Sequence, residues 1–107
     1  MSPANPMQRE NLMEEKNAYQ EKYEAKLKEW KAKIAQLEAR AEQARADAKI
    51  EYQEKVKELK KMEKAAHSKL EELKKSGSEA WKDLKVGLEK AGDELKSALE
   101  KAASKFK

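Results

Sequence analysis

The sequence predicts an all-α fold in which a long helix is followed by a shorter helix that packs back against it as an antiparallel hairpin. Two observations support this prediction. Charged residues make up 43% of the 107 residues and aromatic residues 6%, a composition typical of long helices and coiled coils. Large apolar residues also recur every three or four positions on both sides of Gly77, and the two series mirror each other.

The first predicted element is a long coiled-coil helix over residues 6–76, preceded by a disordered N-terminus at residues 1–5. Asn5 suits the N-cap position and Pro6 the first position of the helix. No Pro or Gly occurs between Met7 and Ser76, so no residue in that stretch interrupts a helix. At ~1.5 Å per residue, this helix would be on the order of 100 Å long.

The second element is a turn followed by an amphipathic helix, together covering residues 77–107 and packed back on residues 48–73. The turn is predicted at Ser76, Gly77 and Ser78, with Gly77 as a left-handed cap and Ser78 as the N-cap of a helix that starts at Glu79. Residues equally far from Gly77 are predicted to face each other, which sets Met62 against Gly92 and Ala48 against Phe106. The predicted hairpin seam comprises Tyr52, Val56, Leu59, Met62, Leu70, Leu73, Trp81, Leu84, Leu88, Leu95, Leu99 and Phe106.

The apolar stripe continues toward the N-terminus, where the hairpin offers it no partner. We therefore expect an antiparallel homodimer in which bulky residues meet alanines, such as Tyr23 with Ala48 and Trp30 with Ala41. This dimer would be elongated, with a three-helix bundle at each end. Its predicted oligomer seam comprises Tyr19, Tyr23, Leu27, Trp30, Ile34, Leu37, Ala41, Ala44 and Ala48.

The charge pattern argues against a specific nucleic-acid partner. The formal net charge is +4, but acids and bases alternate along the chain, often as helix-supporting pairs such as Glu24 and Lys28. A nucleic-acid surface would gather its bases on one face. The chain has no run of about 18 apolar residues and no apolar core of a signal peptide at its start, so we expect a cytoplasmic protein.

The sequence offers no catalytic, cofactor-binding or metal-binding residues. It has no cysteine, which excludes thiolate metal sites, and its one histidine, His67, has no second histidine or cysteine with which to complete a metal site or a nucleophile–base pair. Phosphate-binding loops and hydrolase motifs are also missing. We therefore expect a protein that is not an enzyme.

Two stretches resemble a known family. They are YEAKLKEWKAKIAQLEARAEQARADAKIEYQ at residues 23–53 and LEELKKSGSEAWKDLKVGLEKAGDELKSAL at residues 70–99. Their shared features are Leu-x-x-Trp followed by Ile-x-x-Leu-Glu-Ala, an Ala-rich middle and a Ser-Gly-x-x-Ala-Trp turn. Residues 19–106 thereby resemble small bacterial coiled-coil stress-response proteins, first noticed in cyanobacteria. The resemblance implies a helical fold and a role in stress, and it brings no catalytic residues.

These observations favour a non-enzymatic stress-response protein that acts through helical protein–protein interaction or scaffolding, as a homodimer and with a protein client as a further partner. One alternative is a peripheral protein that binds a membrane surface through the apolar face of the C-terminal helix. The matched hairpin registers weigh against it, because they use the same face. A third alternative is a desiccation-type protectant that becomes helical on drying.

Overall fold

The protein is a bundle of three helices. The computed structural model describes the backbone of residues 6–106 and the side chains of residues 13–106. Helix α1 covers Pro6–Glu42, α2 Ala46–Lys75 and α3 Trp81–Lys105, and the whole measures 69 × 19 × 17 Å. No strand occurs over residues 6–106, so the predicted all-α class is confirmed. The disorder predicted for residues 1–5 lies outside the described residues.

The single helix predicted over residues 6–76 is wrong, because the chain bends at a first loop, Gln43-Ala44-Arg45. The last turn of α1 tightens there: the backbone N–H of Gln43 is shared between the carbonyls of Ala39 (3.3 Å) and Arg40 (3.2 Å). Arg45 is extended, with φ −62° and ψ 152°, and its side chain makes no capping hydrogen bond. No turn-forming residue explains this bend, so its cause lies in the packing of α1.

Helix α1 folds back along α2 and buries its own apolar seam. Ion pairs join Glu24 to Lys74 and Glu38 to Lys60, so the two helices run antiparallel. Burying one large apolar side chain contributes roughly 1.5–3 kcal/mol, whereas each helical hydrogen bond lost at the bend costs about 0.5–1.5 kcal/mol. Burial therefore outweighs the break. The seam residues at 1–8% exposure are Tyr23, Leu27, Trp30, Ile34, Leu37 and Ala41.

The predicted dimer partner for this seam is consequently replaced by the chain itself. Tyr23 does not need Ala48 of a second copy to cover it, because α3 does so. Tyr19, also assigned to the oligomer seam, lies against Trp81 of its own chain, with ring centroids 5.7 Å apart. The expectation of an uncovered N-terminal stripe assumed that α1 and α2 were one straight helix.

Helices α2 and α3 lie antiparallel, joined by a second loop at residues 76–80. Ser76 is extended (φ −76°, ψ 157°), and its hydroxyl donates to the Leu73 carbonyl at 2.6 Å. Gly77 does not adopt a left-handed conformation, and α3 begins at Trp81 instead of Glu79, without a side-chain cap. The caps predicted at Gly77 and Ser78 are therefore wrong, although a loop lies where the turn was predicted.

The pairing of α2 with α3 also differs from the predicted register. The ring of Phe106 stacks on Tyr52, with centroids 4.1 Å apart, one helical turn away from the predicted partner Ala48. Gly92 is filled by α1, not by Met62. Both differences have the same cause. In a three-helix bundle the apolar stripe of each helix faces two neighbouring helices, so residue pairs that were derived for two helices alone are not the pairs that form.

The remaining hairpin-seam residues lie in or beside the core. Val56, Leu59, Leu70, Leu73, Trp81, Leu88, Leu95, Leu99 and Phe106 are buried, while Tyr52, Met62 and Leu84 are half-buried against them.

Candidate interaction groove

Helices α1 and α3 pack less closely against each other than either does against α2, and a groove of about 600 Å³ lies between them. We call this the α1–α3 groove. It is lined by Tyr19, Lys22, Tyr23, Lys26, Glu29, Trp30, Lys33, Gln36, Leu37 and Arg40 from α1 and by Glu89, Asp93, Lys96, Leu99, Glu100 and Ala103 from α3.

The floor of the groove is apolar and rigidly packed. Trp30 is 8% exposed, and Leu37 and Leu99 are 4% and 5% exposed. The heptad spacing of α1 brings Tyr23 and Trp30 to one face, where their rings pack edge to face with centroids 5.9 Å apart. Such aromatic pairs add about 0.5–1.5 kcal/mol beyond the area they bury.

A notch at Gly92 receives Tyr23 and holds α1 against α3. A Cβ atom at Gly92 would lie 2.8 Å from Tyr23 Cζ, would overlap the hydroxyl, and would lie 3.2 Å from Trp30 Cη2. The Tyr23 hydroxyl donates to the Leu88 carbonyl at 3.1 Å. Because glycine has no side chain, Gly92 leaves room for the Tyr23 ring, and it thereby determines how closely α1 packs against α3.

The two rims of the groove carry opposite charge. Four bases and one acid line the α1 rim, namely Lys22, Lys26, Lys33, Arg40 and Glu29. Three acids and one base line the α3 rim, namely Glu89, Asp93, Glu100 and Lys96. An occupant is therefore favoured if it presents negative charge toward α1 and positive charge toward α3. A ligand of a single sign, such as a polyanion, meets repulsion from one rim.

The two tyrosines at one end of the groove keep their protons far above neutral pH. Burial, followed by the nearby Asp93 and Glu89 carboxylates, raises the pKa of Tyr23 to about 12. The same burial, with Glu89 next to its hydroxyl, raises the pKa of Tyr19 still further above its ordinary value, and that hydroxyl donates to Glu89 at 3.4 Å. These groups are hydrogen-bond donors in the groove, not bases or nucleophiles.

Lys16 ties the end of α1 to the second loop. Its buried ammonium donates to the carbonyl of Lys74 at 3.0 Å and to that of Ser76, so it caps the C-terminal, partially negative end of α2. Sequence reasoning missed this residue. A signal was available, because Lys16 occupies the seam position between Leu12 and Tyr19, where a charged residue needs an explanation.

A second groove of about 750 Å³ lies between α2 and α3 and contains Met62. It has no aromatic residue, and acids and bases are mixed on both of its sides. This second groove therefore lacks both the aromatic floor and the separation of charge that distinguish the α1–α3 groove.

The histidine and the acidic residues form no candidate metal site in the described part of the chain. His67 is exposed on α2 with its Nε2 3.8 Å from Glu71. Over residues 13–106 no three His, Asp or Glu side chains come together in a way that would hold a metal ion. No helix in the same part of the chain has the length and apolarity needed to cross a membrane.

Comparison with known protein families, with curated proteins and with solved structures finds no match for this chain.

Proposed function

We propose that this chain is a non-enzymatic, helical stress-response protein that binds an amphipathic helix of a partner protein in the α1–α3 groove. The main support for this proposal is that the groove combines an apolar, aromatic floor with two rims of opposite charge. Two adjacent helices with an apolar seam between them accept a further helix, which then completes a four-helix arrangement.

The groove specifies the chemistry of its occupant. From Tyr19 to Arg40 the α1 wall covers 22 residues, which corresponds to ~33 Å of helix. The occupant is therefore a helix of about 20 residues, with one apolar stripe, acids on the edge toward α1 and bases on the edge toward α3. In a stress response, the occupant would be an amphipathic helix that a partly unfolded client protein exposes.

Binding to a membrane surface has less support. The apolar face of α3 that would enter the lipid is inside the bundle, with Leu88 and Leu95 at 0% exposure and Trp81 at 4%. Helix α3 would have to leave the bundle first and give up this burial. A desiccation-type protectant that is unstructured in water is disfavoured for the same reason, because the bundle buries a continuous core. Vesicle flotation and circular dichroism in dilute buffer test these two alternatives.

A fluorescent reporter on the groove wall tests the proposed function. The chain has no cysteine, so Ala103→Cys provides a single labelling site inside the groove. Ser104→Cys provides a matched exposed site on the same helix that is outside the groove. An environment-sensitive dye at residue 103 should respond to a bound helix, and the same dye at residue 104 should respond much less.

Three designed helical peptides of 20 residues, with identical apolar stripes, serve as probes. One carries acids on one edge and bases on the other, the second carries acids on both edges, and the third bases on both. We expect the mixed peptide to bind at least tenfold more tightly than either single-sign peptide, with a difference that shrinks as salt rises. Equal affinity for the three peptides, or equal responses at residues 103 and 104, would contradict the proposal.

We also propose that the chain forms a homodimer. The α1 seam that predicted this dimer is covered by α2 and α3 of the same chain, so the dimer proposed below forms by exchange of α1 between two copies.

A further inference from the structure

The first loop is built from residues that favour a helix. Gln43, Ala44 and Arg45 are all good helix formers, and residues 39–50 contain no Gly, Pro, Ser or Asn. The one local residue that favours a helix start here is Asp47, in the first turn of α2. The backbone N–H groups of Arg45, Ala46 and Asp47 find no backbone acceptor at the bend, and the side chain of Arg45, the N-cap residue, does not cap them. A straight helix would give all three an acceptor four residues earlier. The local sequence therefore opposes the bend that the packing requires.

The residues that pair α1 with α2 share one midpoint in the sequence. Fourteen residues separate Glu24 from Glu38 on α1, and fourteen separate Lys60 from Lys74 on α2. Lys49 is the midpoint of both ion pairs. If the first loop straightens, two copies can therefore lie antiparallel with Lys49 opposite Lys49, and each pair forms again between the copies.

We propose that two copies of this chain exchange α1 and form a dimer. In the exchanged form residues 6–75 are one helix, and α1 of each copy packs on the α2–α3 hairpin of the other. The contacts of α1 are all retained between chains: the ion pairs above, the ammonium of Lys16 on the end of α2, and Tyr23 in the notch at Gly92. Exchange of an identical element through a short, strained hinge is a known low-cost route to a dimer.

The exchanged form uses a stretch of apolar stripe that the bent form leaves half-exposed. Ala44 and Ala48 lie between the buried Ala41 and the half-buried Tyr52 at helical spacing. In the register centred on Lys49, Ala48 lies one residue from the two-fold axis, so the Ala48 residues of the two copies meet there and allow a close approach of the two helices. The two Lys49 side chains repel each other there, so the dimer should be favoured by higher salt.

This inference deepens the proposed function, because the dimer places one α1–α3 groove at each end of a rod. The rod extends from residue 6 of one copy to residue 6 of the other, which corresponds to ~130 Å of helix, against a length of 69 Å for one copy. Peptide binding and exchange are separable, since each groove keeps the same walls in both forms.

A proline at the start of α2 tests the straightening. Ala46 is exposed and is the first residue of α2, where proline is favoured, and the extended Arg45 before it suits a following proline. Ala46→Pro therefore fits the bent form, whereas inside a straight helix it removes a hydrogen bond and clashes with the preceding turn. Ala46→Gln is the matched control, because it accepts both forms.

The proteins are refolded at about millimolar concentration and examined by light scattering after size exclusion and by small-angle X-ray scattering. We expect the wild type and Ala46→Gln to yield a dimer of ~130 Å maximum dimension, and Ala46→Pro to reduce the dimer fraction at least tenfold. Only monomer in all three proteins would overturn the proposal. A dimer that Ala46→Pro leaves unchanged would also overturn it, since such a dimer would not require straightening.

Single cysteines locate the two-fold axis. In the exchanged dimer, residues 49 of the two copies are adjacent, whereas residues 61 are ~36 Å apart along the rod. Under mild oxidation, Lys49→Cys dimer should therefore form an interchain disulfide at least tenfold faster than Lys61→Cys dimer. Equal rates would rule out this register. Binding of the mixed-charge peptide by Ala46→Pro distinguishes the two proposals, because the groove is intact in the monomer.

Discussion

The two loops of this bundle reverse the chain in the same way but for different reasons. The second loop has the expected turn chemistry: Ser, Gly and Ser occur in succession, and the Ser76 hydroxyl satisfies a carbonyl at the end of α2. The first loop has none of this and is flanked by helix formers on both sides. One bend is therefore favoured by its own residues, and the other is imposed by the packing of α1 along its length.

Several of the contacts that impose the first bend lie in the N-terminal half and the middle of α1, well before the loop. Tyr23 fills the notch at Gly92, Lys16 caps α2, and Glu24 pairs with Lys74. Lys16 also supports the second loop through the carbonyl of Ser76. The second loop thus has its own turn residues as well as this tertiary support, whereas the first loop depends on the tertiary support. The following predictions test this difference, beginning with the largest effect.

Filling the notch at Gly92 should release α1. We expect Gly92→Ala to lower the free energy of unfolding by about 2–3 kcal/mol, because Tyr23 must leave its site or α1 must move away. Chemical denaturation followed by circular dichroism measures this loss. Gly87→Ala is the control on the same helix, since its Cβ would meet only Lys69 Nζ at 3.8 Å. That variant should gain about 0.5–1 kcal/mol from helix propensity. Similar stabilities of the two variants would show that the notch does not hold α1.

Alkaline pH should weaken the docking of α1. The folded-state pKa of Tyr23, about 12, lies above its ordinary value of 10.0, so folding favours the protonated phenol. Its contribution is fully present below pH 10 and is lost as the pH rises toward 12. We expect the thermal midpoint to fall over this range, and to fall less steeply in Tyr23→Phe. Parallel curves for the two proteins would contradict this assignment.

Giving the first loop the cap that it lacks should stabilise the bent form. Arg45 already has the extended backbone of an N-cap residue, so Arg45→Asp should raise the free energy of unfolding by about 1 kcal/mol. Arg45→Ala, which changes the charge without providing a cap, is the control and should have little effect. The dimer fraction after concentrated refolding should fall in Arg45→Asp. An equal gain in both variants would point to the removed charge instead of the cap.

The smallest effects are expected in the second loop, where they separate the contribution of Ser76 from that of Gly77. Ser76→Ala removes the hydrogen bond to the Leu73 carbonyl and should cost about 0.5–1.5 kcal/mol. Gly77→Ala should be within about 0.5 kcal/mol of wild type, because Gly77 is not left-handed and has no atom within 4 Å of its Cβ position. A larger loss for Gly77→Ala than for Ser76→Ala would show that the loop needs the conformational freedom of glycine.

The sequence was most informative about which residues are buried and least informative about what covers them. The spacing of Tyr23, Trp30 and Leu37 predicted a seam, and all three are buried. The assignment of a second copy to that seam failed, because Asp47 is the one residue near Ala44 that favours a new helix start, and it suits the interior of an exposed helix as well. Gly92 was set against Met62, since a two-helix comparison contains no information about a third helix that occupies the same axis.

The candidate site was harder to anticipate than the core. The groove depends on how far α1 and α3 diverge, which is set by the contact between Tyr23 and Gly92 across 69 positions of sequence. The rim charges were visible as alternating acids and bases, but their separation by sign emerges only when the two helices are placed side by side. Lys16 could have been noticed as a charged residue in the seam.

By itself, the sequence determined that the chain is helical, that one stripe of each helix is buried, and that a loop occurs near Gly77. These properties follow from residue spacing and local propensity, which act over a few positions. Only the tertiary structure decided that residues 6–75 bend at Ala44 and which surfaces meet. The reason is energetic: burial of a whole apolar seam outweighs the few hydrogen bonds lost at a bend that the local residues do not favour.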